Sequence, residues 1–162
     1  MNLAEAIILK NVEKHPIKAA IGFKKKDEAW KELSWKRFGE IIFKMGNALK
    51  EAGVQENDKV AIYSDNSSEW MIVDLAAMAI GAITVPIYST NNAEQAEYII
   101  NDSGAKAILV GNQMQYDACL DILHKEENHL ETIIVSKKAV WIKKEFNSFY
   151  LEDFIAKASA EL

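Results

Sequence analysis

Between residues 58 and 136 the sequence alternates short, continuously apolar runs with longer segments of helical periodicity. Strands that are apolar throughout and are joined by helices require a parallel sheet covered on both faces. We therefore predict an α/β fold with a doubly wound, mainly parallel sheet flanked by helices. The predicted strands are KVAIYS (59–64), ITVPIY (83–88), AKAILVG (105–111) and ETIIVS (131–136), and the predicted helices are 67–80, 93–101 and 113–127.

The N-terminal part of the chain has a different pattern. Residues 3–14 have the apolar spacing of a short helix, which is predicted to end before Pro16. The runs AAIGF (19–23) and AWKEL (29–33) predict a β-hairpin. We interpret the lysine run 24–26 near its tip as a solvated turn; an anion-binding patch is the alternative.

A further helix is predicted between Ser34, an N-cap type of residue, and Gly53, which suits the left-handed turn after a helix. After residue 136, KKAVWIKKEF mixes lysines with Trp141 and is interpreted as a solvated edge, with a contact surface as the alternative. The last segment, SFYLEDFIAKASAEL, predicts a helix. The predicted units are 1–57 (helix, hairpin and helix), 58–136 (parallel α/β layer) and 137–162 (C-terminal extension).

Composition narrows the classes of function. The 162 residues suit one domain, and the net charge of −5 argues against nucleic acid as a partner. A single cysteine, Cys119, indicates a reducing, cytoplasmic setting, and its apolar-periodic surroundings predict a buried structural thiol.

Between residues 70 and 88 the only charged residue is Asp74, but Gly81 and Pro86 interrupt this apolar segment. We therefore predict a buried helix and a buried strand there, not a membrane span.

Familiar phosphate-binding and catalytic motifs are absent from the sequence. No GxGxxG or Walker-type glycine loop follows a predicted strand. The junction YSDNSSEW is interpreted as a helix capped by Ser67 or Ser68, and YSTNN as a helix capped by Asn91 or Asn92. The histidines are scattered, and no serine has a nucleophile-elbow context. The residues alone predict an α/β domain without a catalytic apparatus, and we assign no catalytic or metal-binding residue.

Several short motifs follow one another in a fixed order: LSW (33–35), GV (53–54) with DKVAIYS (58–64), Asn66 with EW (69–70), GAITVPIY (81–88) and IINDSGAKAILV (99–110). Each motif is weak by itself, but the ordered set at these spacings is specific. It resembles the N-terminal part of AMP-forming acyl-CoA synthetases, and most closely the long-chain fatty-acid–CoA ligases. The resemblance covers almost the whole chain and is weakest after residue 136.

This resemblance implies adenylation of a fatty-acid carboxylate by ATP and Mg²⁺, followed by transfer of the acyl group to the thiol of coenzyme A. The family's phosphate loop, metal-binding glutamate and catalytic lysine match no position in this sequence. We therefore expect a fragment that is inactive alone and binds none of these cofactors tightly. The resemblance also implies a cytoplasmic enzyme with peripheral membrane association, while an exposed apolar face would let the fragment self-associate.

The resemblance singles out Tyr88, Ser89 and Thr90, because in related enzymes the loop after this strand borders the coenzyme A nucleotide. We expect Tyr88 to stack on adenine and the backbone of Ser89 and Thr90 to approach it, although relatives carry glycines at the last two positions. The alternative is a helix-capping loop with a half-buried tyrosine. Two rival functions stay open: a stand-alone binding or regulatory domain of flavodoxin or receiver type, and an interaction module that uses KKAVWIKKEF.

Overall fold

The computed structural model describes residues 2–24, 28–143 and 146–161; most of the predicted lysine turn at 24–26 and part of KKAVWIKKEF lie outside the described residues. The helices are α1 (Leu3–Lys14), α2 (Trp35–Glu51), α3 (Ser68–Ala79), α4 (Ala93–Ser103), α5 (Gln113–Leu123) and α6 (Leu151–Ile155). The strands are β1 (Ala19–Phe23), β2 (Lys31–Ser34), β3 (Lys59–Tyr63), β4 (Ile83–Ile87), β5 (Ala107–Val110), β6 (Thr132–Val135) and β7 (Ser148–Tyr150).

The central feature is a parallel sheet in the order β4-β3-β5-β6-β7, and β1 and β2 form a separate antiparallel hairpin. Alternate side chains of β3 enter opposite cores. Val60 and Ile62 pack in the core that includes residues of α1, α2 and α3, whereas Ala61 and Tyr63 pack in the core that includes residues of α4 and α5. All four are fully buried, which explains why the strand is apolar from Val60 onward. The predicted fold class is confirmed.

Polar side chains cap the helices where the sequence predicted. Ser34, Ser67 and Asn92 each accept a hydrogen bond from the backbone N–H three residues later, at 3.3, 3.1 and 2.9 Å. The cap of α3 is thus the first of the two candidate serines, and the cap of α4 is the second of the two candidate asparagines. Each bond satisfies an N–H of the first turn that has no partner within the helix.

Strand β4 lies at an edge of the sheet, so the prediction that it is buried is wrong. Ile83 is 48% exposed, and Pro86 is exposed as well. The Ile83 N–H donates to the carbonyl of Asp58 at 2.8 Å, so the amides of alternate residues 83, 85 and 87 face β3. Position 86 therefore faces outward, where a proline removes no hydrogen bond from the sheet. An apolar run with such a proline fits an edge strand.

The sheet also extends past residue 136. Residues 148–150, which were predicted to begin a helix, instead form β7, and Ile133, Ile134 and Val135 of β6 pair with them in parallel. Within the described residues 146–161, the helical part is Leu151–Ile155, and α5 likewise ends at Leu123, before the predicted position 127. A strand of three residues is too short to carry a recognisable period, so its existence depends on pairing with β6.

Cys119 lies on α5 and is fully buried, which confirms the predicted structural thiol. Burial raises the pKa of this thiol to about 12. The sulfur therefore stays protonated at neutral pH and is a poor nucleophile. Within the described ranges, none of the helices combines the length and the apolar character that crossing a bilayer requires.

Candidate functional site

The carboxyl ends of β3 and β4 border a cavity of about 580 Å³. Since the two strands are parallel, the chain leaves both of them at the same edge of the sheet. Ligands of open α/β sheets bind at this edge, and the volume lies within the usual range for small-molecule sites. The lining residues are Ser64, Asp65, Asn66, Trp70, Pro86, Ile87, Tyr88 and Ser89.

The structure brings two of the three predicted site residues to this cavity. Tyr88 and Ser89 line it, whereas Thr90 is exposed and is not one of the lining residues. Tyr88 is 82% exposed, so the alternative of a half-buried tyrosine is wrong. The loop does cap a helix as well, because Asn92 and Gln95 form a reciprocal capping box at the start of α4. Capping therefore uses the end of the loop and leaves the Tyr88 ring free.

Two side chains hold the loop from its inner side. The Tyr63 hydroxyl at the end of β3 donates to the carbonyl of Asn91, and Gln115 Nε2 of α5 donates to the carbonyl of Ser89 at 3.3 Å. Burial and the nearby Cys119 raise the pKa of Tyr63, which keeps the phenol in its donor form. Sequence reasoning missed both links, because they join residues 28 and 26 positions apart.

On the other side of β3, the crevice toward β5 is filled. Gln115 is fully buried there, and its Oε1 accepts from the N–H groups of Gly111 and Asn112 at 2.9 and 3.1 Å. A Cβ atom at Gly111 would lie 2.8 Å from Cβ of Ser64 and 3.3 Å from Gln115 Oε1. The strand order changes direction at this point, and flavodoxin-like sheets bind their cofactor at such a switch point. The filled crevice argues against the flavodoxin alternative.

The cavity lining favours a flat, uncharged ligand group over a phosphate. It combines two aromatic side chains, Trp70 and Tyr88, with the exposed carboxylate of Asp65, and none of the described lining residues is a lysine or arginine. The N–H of Trp70 at the start of α3 already donates to the Ser67 hydroxyl at 3.1 Å. Aromatic faces suit stacking on a base, and a carboxylate accepts hydrogen bonds from amino groups.

Metal-binding side chains do not converge in the described part of the chain, where no group of three or more His, Cys, Asp or Glu residues could hold an ion. His124 has a structural role. Its Nδ1 lies 2.6 Å from the carbonyl oxygen of Leu120, and its ring packs edge-to-face on Phe146 with 4.6 Å between the ring centroids. The acidic cluster at strand ends that a receiver domain requires is not formed by these residues either.

The fold is that of known ligases. An anthranilate–CoA ligase solved with anthranoyl-AMP superposes with a TM-score of 0.81 at 23% identity, covering 98% of this chain and 29% of the ligase. A coronafacic acid ligase from Pectobacterium brasiliense gives a TM-score of 0.80 at 23% identity, covering 98% of this chain and 30% of the ligase. Likeness at this identity establishes the architecture.

Family membership follows from the sequence match. A family model described as AMP-binding enzyme matches residues 8–155. The chain belongs to the AMP-binding enzyme family. Among curated relatives, the long-chain-fatty-acid–CoA ligase ACSBG1 of Rattus norvegicus is 30% identical over 144 residues, which is 89% of this chain and 20% of the relative. The long-chain-fatty-acid–CoA ligase FadD15 of Mycobacterium bovis is 39% identical over 79 residues, 49% of this chain and 13% of the relative. The chain thus spans at most about a fifth of these relatives, and the resemblance read from its sequence is confirmed.

Proposed function

We propose that this chain forms the N-terminal part of an ATP-dependent fatty-acid–CoA ligase. In the proposed reaction, the fatty-acid carboxylate attacks the α-phosphate of ATP, forms an acyl-adenylate and releases pyrophosphate. The thiol of coenzyme A then attacks the acyl carbon and displaces AMP. Support comes from the family match over residues 8–155 and from relatives named as long-chain-fatty-acid–CoA ligases.

Within that reaction, we assign the cavity between β3 and β4 to the adenine end of coenzyme A. The observation that carries this assignment is the 82% exposed ring of Tyr88 at the mouth of a cavity of about 580 Å³. Tyr88 would stack on the base, while the backbone of Ser89 and Thr90 approaches it. The described lining contains no lysine or arginine, the side chains that usually hold phosphates. The phosphates of ATP, and the Mg²⁺ bound to them, would therefore be held by residues outside this site.

The chain by itself is proposed to be catalytically inactive, because none of the described lining residues is a cationic phosphate ligand and none is assigned to a metal. An ATP–pyrophosphate exchange assay with palmitate tests this. The 162-residue chain should give no exchange above a control without fatty acid, whereas a protein in which it continues into the family's phosphate loop and catalytic lysine should exchange label. Exchange by the isolated chain would overturn the proposed incompleteness.

The coenzyme A site is tested by Tyr88→Ala, with Tyr98→Ala as the matched control. Tyr98 lies on α4, is 70% exposed and is not one of the cavity-lining residues. Loss of base stacking should weaken coenzyme A binding by about fivefold or more, measured by NMR titration of the amides of Ser89 and Thr90. The control should bind as the unchanged chain does. Equal binding by both variants would exclude Tyr88 from the site.

Self-association of the chain stays a proposal, supported by exposed apolar side chains on β4, α3 and α1. Ile83 and Met78 are 48% and 38% exposed, and Leu3 is 77% exposed; Asn2, the residue before it, donates to the carbonyl of Met78 at 2.6 Å. Contact between copies would remove this apolar surface from water. Sedimentation equilibrium should detect dimers that Ile83→Lys weakens; a monomer at all concentrations would contradict the proposal. Peripheral membrane association and a cytoplasmic location of the whole enzyme likewise remain predictions.

A further inference from the structure

Gln115 is a fully buried polar side chain, and both ends of its amide form hydrogen bonds. It lies between the loop after β4 and the corner between β5 and α5. The carbonyl oxygen accepts from the N–H groups of Gly111 and Asn112, at the corner between β5 and α5. Two N–H donors on one side determine which end of the amide is oxygen, so the NH₂ group must point the other way. There it donates to the carbonyl of Ser89 at 3.3 Å.

We infer that Gln115 is a positioning residue, which holds the loop 88–92 against the β5–α5 corner and thereby keeps the Tyr88 ring at the cavity mouth. Gln115 itself does not line the cavity. The inference rests on the proposed coenzyme A site, and it adds to that proposal a residue from a different strand–helix junction. No local sequence pattern assigns this role, because residues 115 and 89 are 26 positions apart.

The chemistry of the site explains why this contact affects binding. The Tyr88 side chain is 82% exposed, so contacts within the protein cover little of the ring before a ligand arrives. The backbone of the loop is fixed instead from inside, by Gln115 at Ser89 and by Tyr63 at Asn91. A loop ordered before binding loses less conformational entropy when the ligand binds. Removing one inner contact should therefore weaken the ligand even though no ligand contact is lost.

The test uses Gln115→Glu, which has nearly the same size. Its carboxylate can still accept from Gly111 and Asn112, but it offers an acceptor instead of a donor to the Ser89 carbonyl. Gln115→Leu removes both ends of the amide. The matched control is Tyr116→Phe on the same helix, which removes a buried hydrogen bond to Ser148 at 3.0 Å and a half-buried one from the N–H of Lys143 at 2.8 Å, away from the loop. All three variants are compared in the 162-residue chain.

Each variant is measured for its coenzyme A affinity by NMR titration, for the hydrogen exchange of the amides of residues 89–91, and for its urea midpoint. We expect both Gln115 variants to bind coenzyme A about fivefold more weakly than the unchanged chain. Their hydrogen exchange should increase more in the loop than in β5. Tyr116→Phe should lower the urea midpoint without changing either property. If Gln115 had a purely structural role, hydrogen exchange in the loop would instead increase in every variant in proportion to the fall in its urea midpoint.

The two levels of the proposal fail in different ways. If the unchanged chain binds coenzyme A and both Gln115 variants bind equally well, the positioning role is overturned and the coenzyme A site stands. If the unchanged chain binds no coenzyme A, the proposed site fails. Loop exchange then still decides the role of Gln115: faster exchange confined to residues 89–91 supports it, and unchanged exchange overturns it.

Discussion

On one side of β3, toward β4, the strand ends border a cavity of about 580 Å³, whereas on the other side, toward β5, the corresponding space is filled. The filled side has a glycine, Gly111, in close contact with Ser64, and the buried amide of Gln115 beside it. The open side is lined by two aromatic residues, Trp70 and Tyr88, and its loop is held from inside by the Tyr63 hydroxyl. The switch point of the strand order is thus occupied by the protein itself, and the neighbouring junction, where we propose that the ligand binds, is open.

The largest expected effect comes from forcing the filled side open with Gly111→Ala. The new Cβ would lie 2.8 Å from Cβ and 3.4 Å from Cα of Ser64, atoms that cannot move without the backbone. Overpacking of this kind should lower the free energy of unfolding by about 1–3 kcal/mol, measured by urea denaturation. Gly22→Ala is the control, because its nearest neighbours would lie at 4.0 Å. Equal stabilities of the two variants would show that the crevice is not tightly closed.

A smaller effect is expected for Tyr63→Phe, which removes the link between the end of β3 and the loop after β4. The carbonyl of Asn91 loses its donor, so the free energy of unfolding should fall by about 1 kcal/mol. Tyr150→Phe is the control, since its hydroxyl donates to the carbonyl of Val140 at 2.6 Å, at the far edge of the sheet. Hydrogen exchange should increase in residues 89–91 only for Tyr63→Phe; a similar increase in both would contradict the local link.

A weak dependence of stability on pH is expected at the amino ends of β3 and β5, which lie opposite the cavity. Asp58 and Lys106 form a half-buried ion pair at 2.8 Å, and the hydrogen bond from Lys106, assisted by the N–H of Gln55, holds the pKa of Asp58 below its ordinary value of 3.8. The lowered pKa means that the stabilisation is present above pH 3.8 and is lost as the pH falls through the folded-state pKa. The same contact raises the pKa of Lys106, so that its contribution persists at neutral pH.

Urea midpoints measured against pH for the unchanged chain and for Asp58→Asn test this expectation. The difference between the two should shrink as the solution becomes acidic, because protonation removes the charge that the variant lacks at every pH. A difference that stays constant down to the acid transition would show that the ion pair does not contribute to holding β3 and β5 together.

The smallest effect on stability is expected for Tyr88→Ala on the open side. The ring is 82% exposed, so its removal should change the free energy of unfolding by no more than about 0.5 kcal/mol. A thermal melt beside that of the unchanged chain is a sufficient measurement. A marked loss of stability would mean that Tyr88 packs within the fold instead of serving a ligand, which would remove the contrast between the two sides of β3.

Much of the fold could be predicted because its signals are local. The caps at Ser34, Ser67 and Asn92 lie three residues from the amides they satisfy, and β5 and the part of β3 after Lys59 are apolar throughout. Strand β7 could not be predicted, because three residues have no period and their structure comes from pairing with β6. The edge position of β4 was missed although Pro86 was an available signal, because a proline inside an apolar strand is compatible with an edge and not with the middle of a sheet.

The candidate site divides in the same way. The resemblance drew attention to Tyr88, Ser89 and Thr90, and the structure brings the first two of these to the cavity while Thr90 stays outside its lining. Neither Gln115 nor Tyr63 was a candidate. For Gln115 the available signal was the capping box Asn112-x-x-Gln115, which explains the start of α5 but accounts for only one end of the amide.

By itself, the sequence determined the class of the fold, the positions of most helices and strands and the family, because periodicity, caps and motif order act over a few residues or are fixed along the chain. Only the tertiary structure decided the strand order, the edge position of β4 and the side of β3 on which the protein leaves space. Those properties depend on contacts between distant residues, such as Gly111 with Ser64 and Gln115 with Ser89. Steric exclusion and burial of polar groups act on such contacts only once the chain has folded.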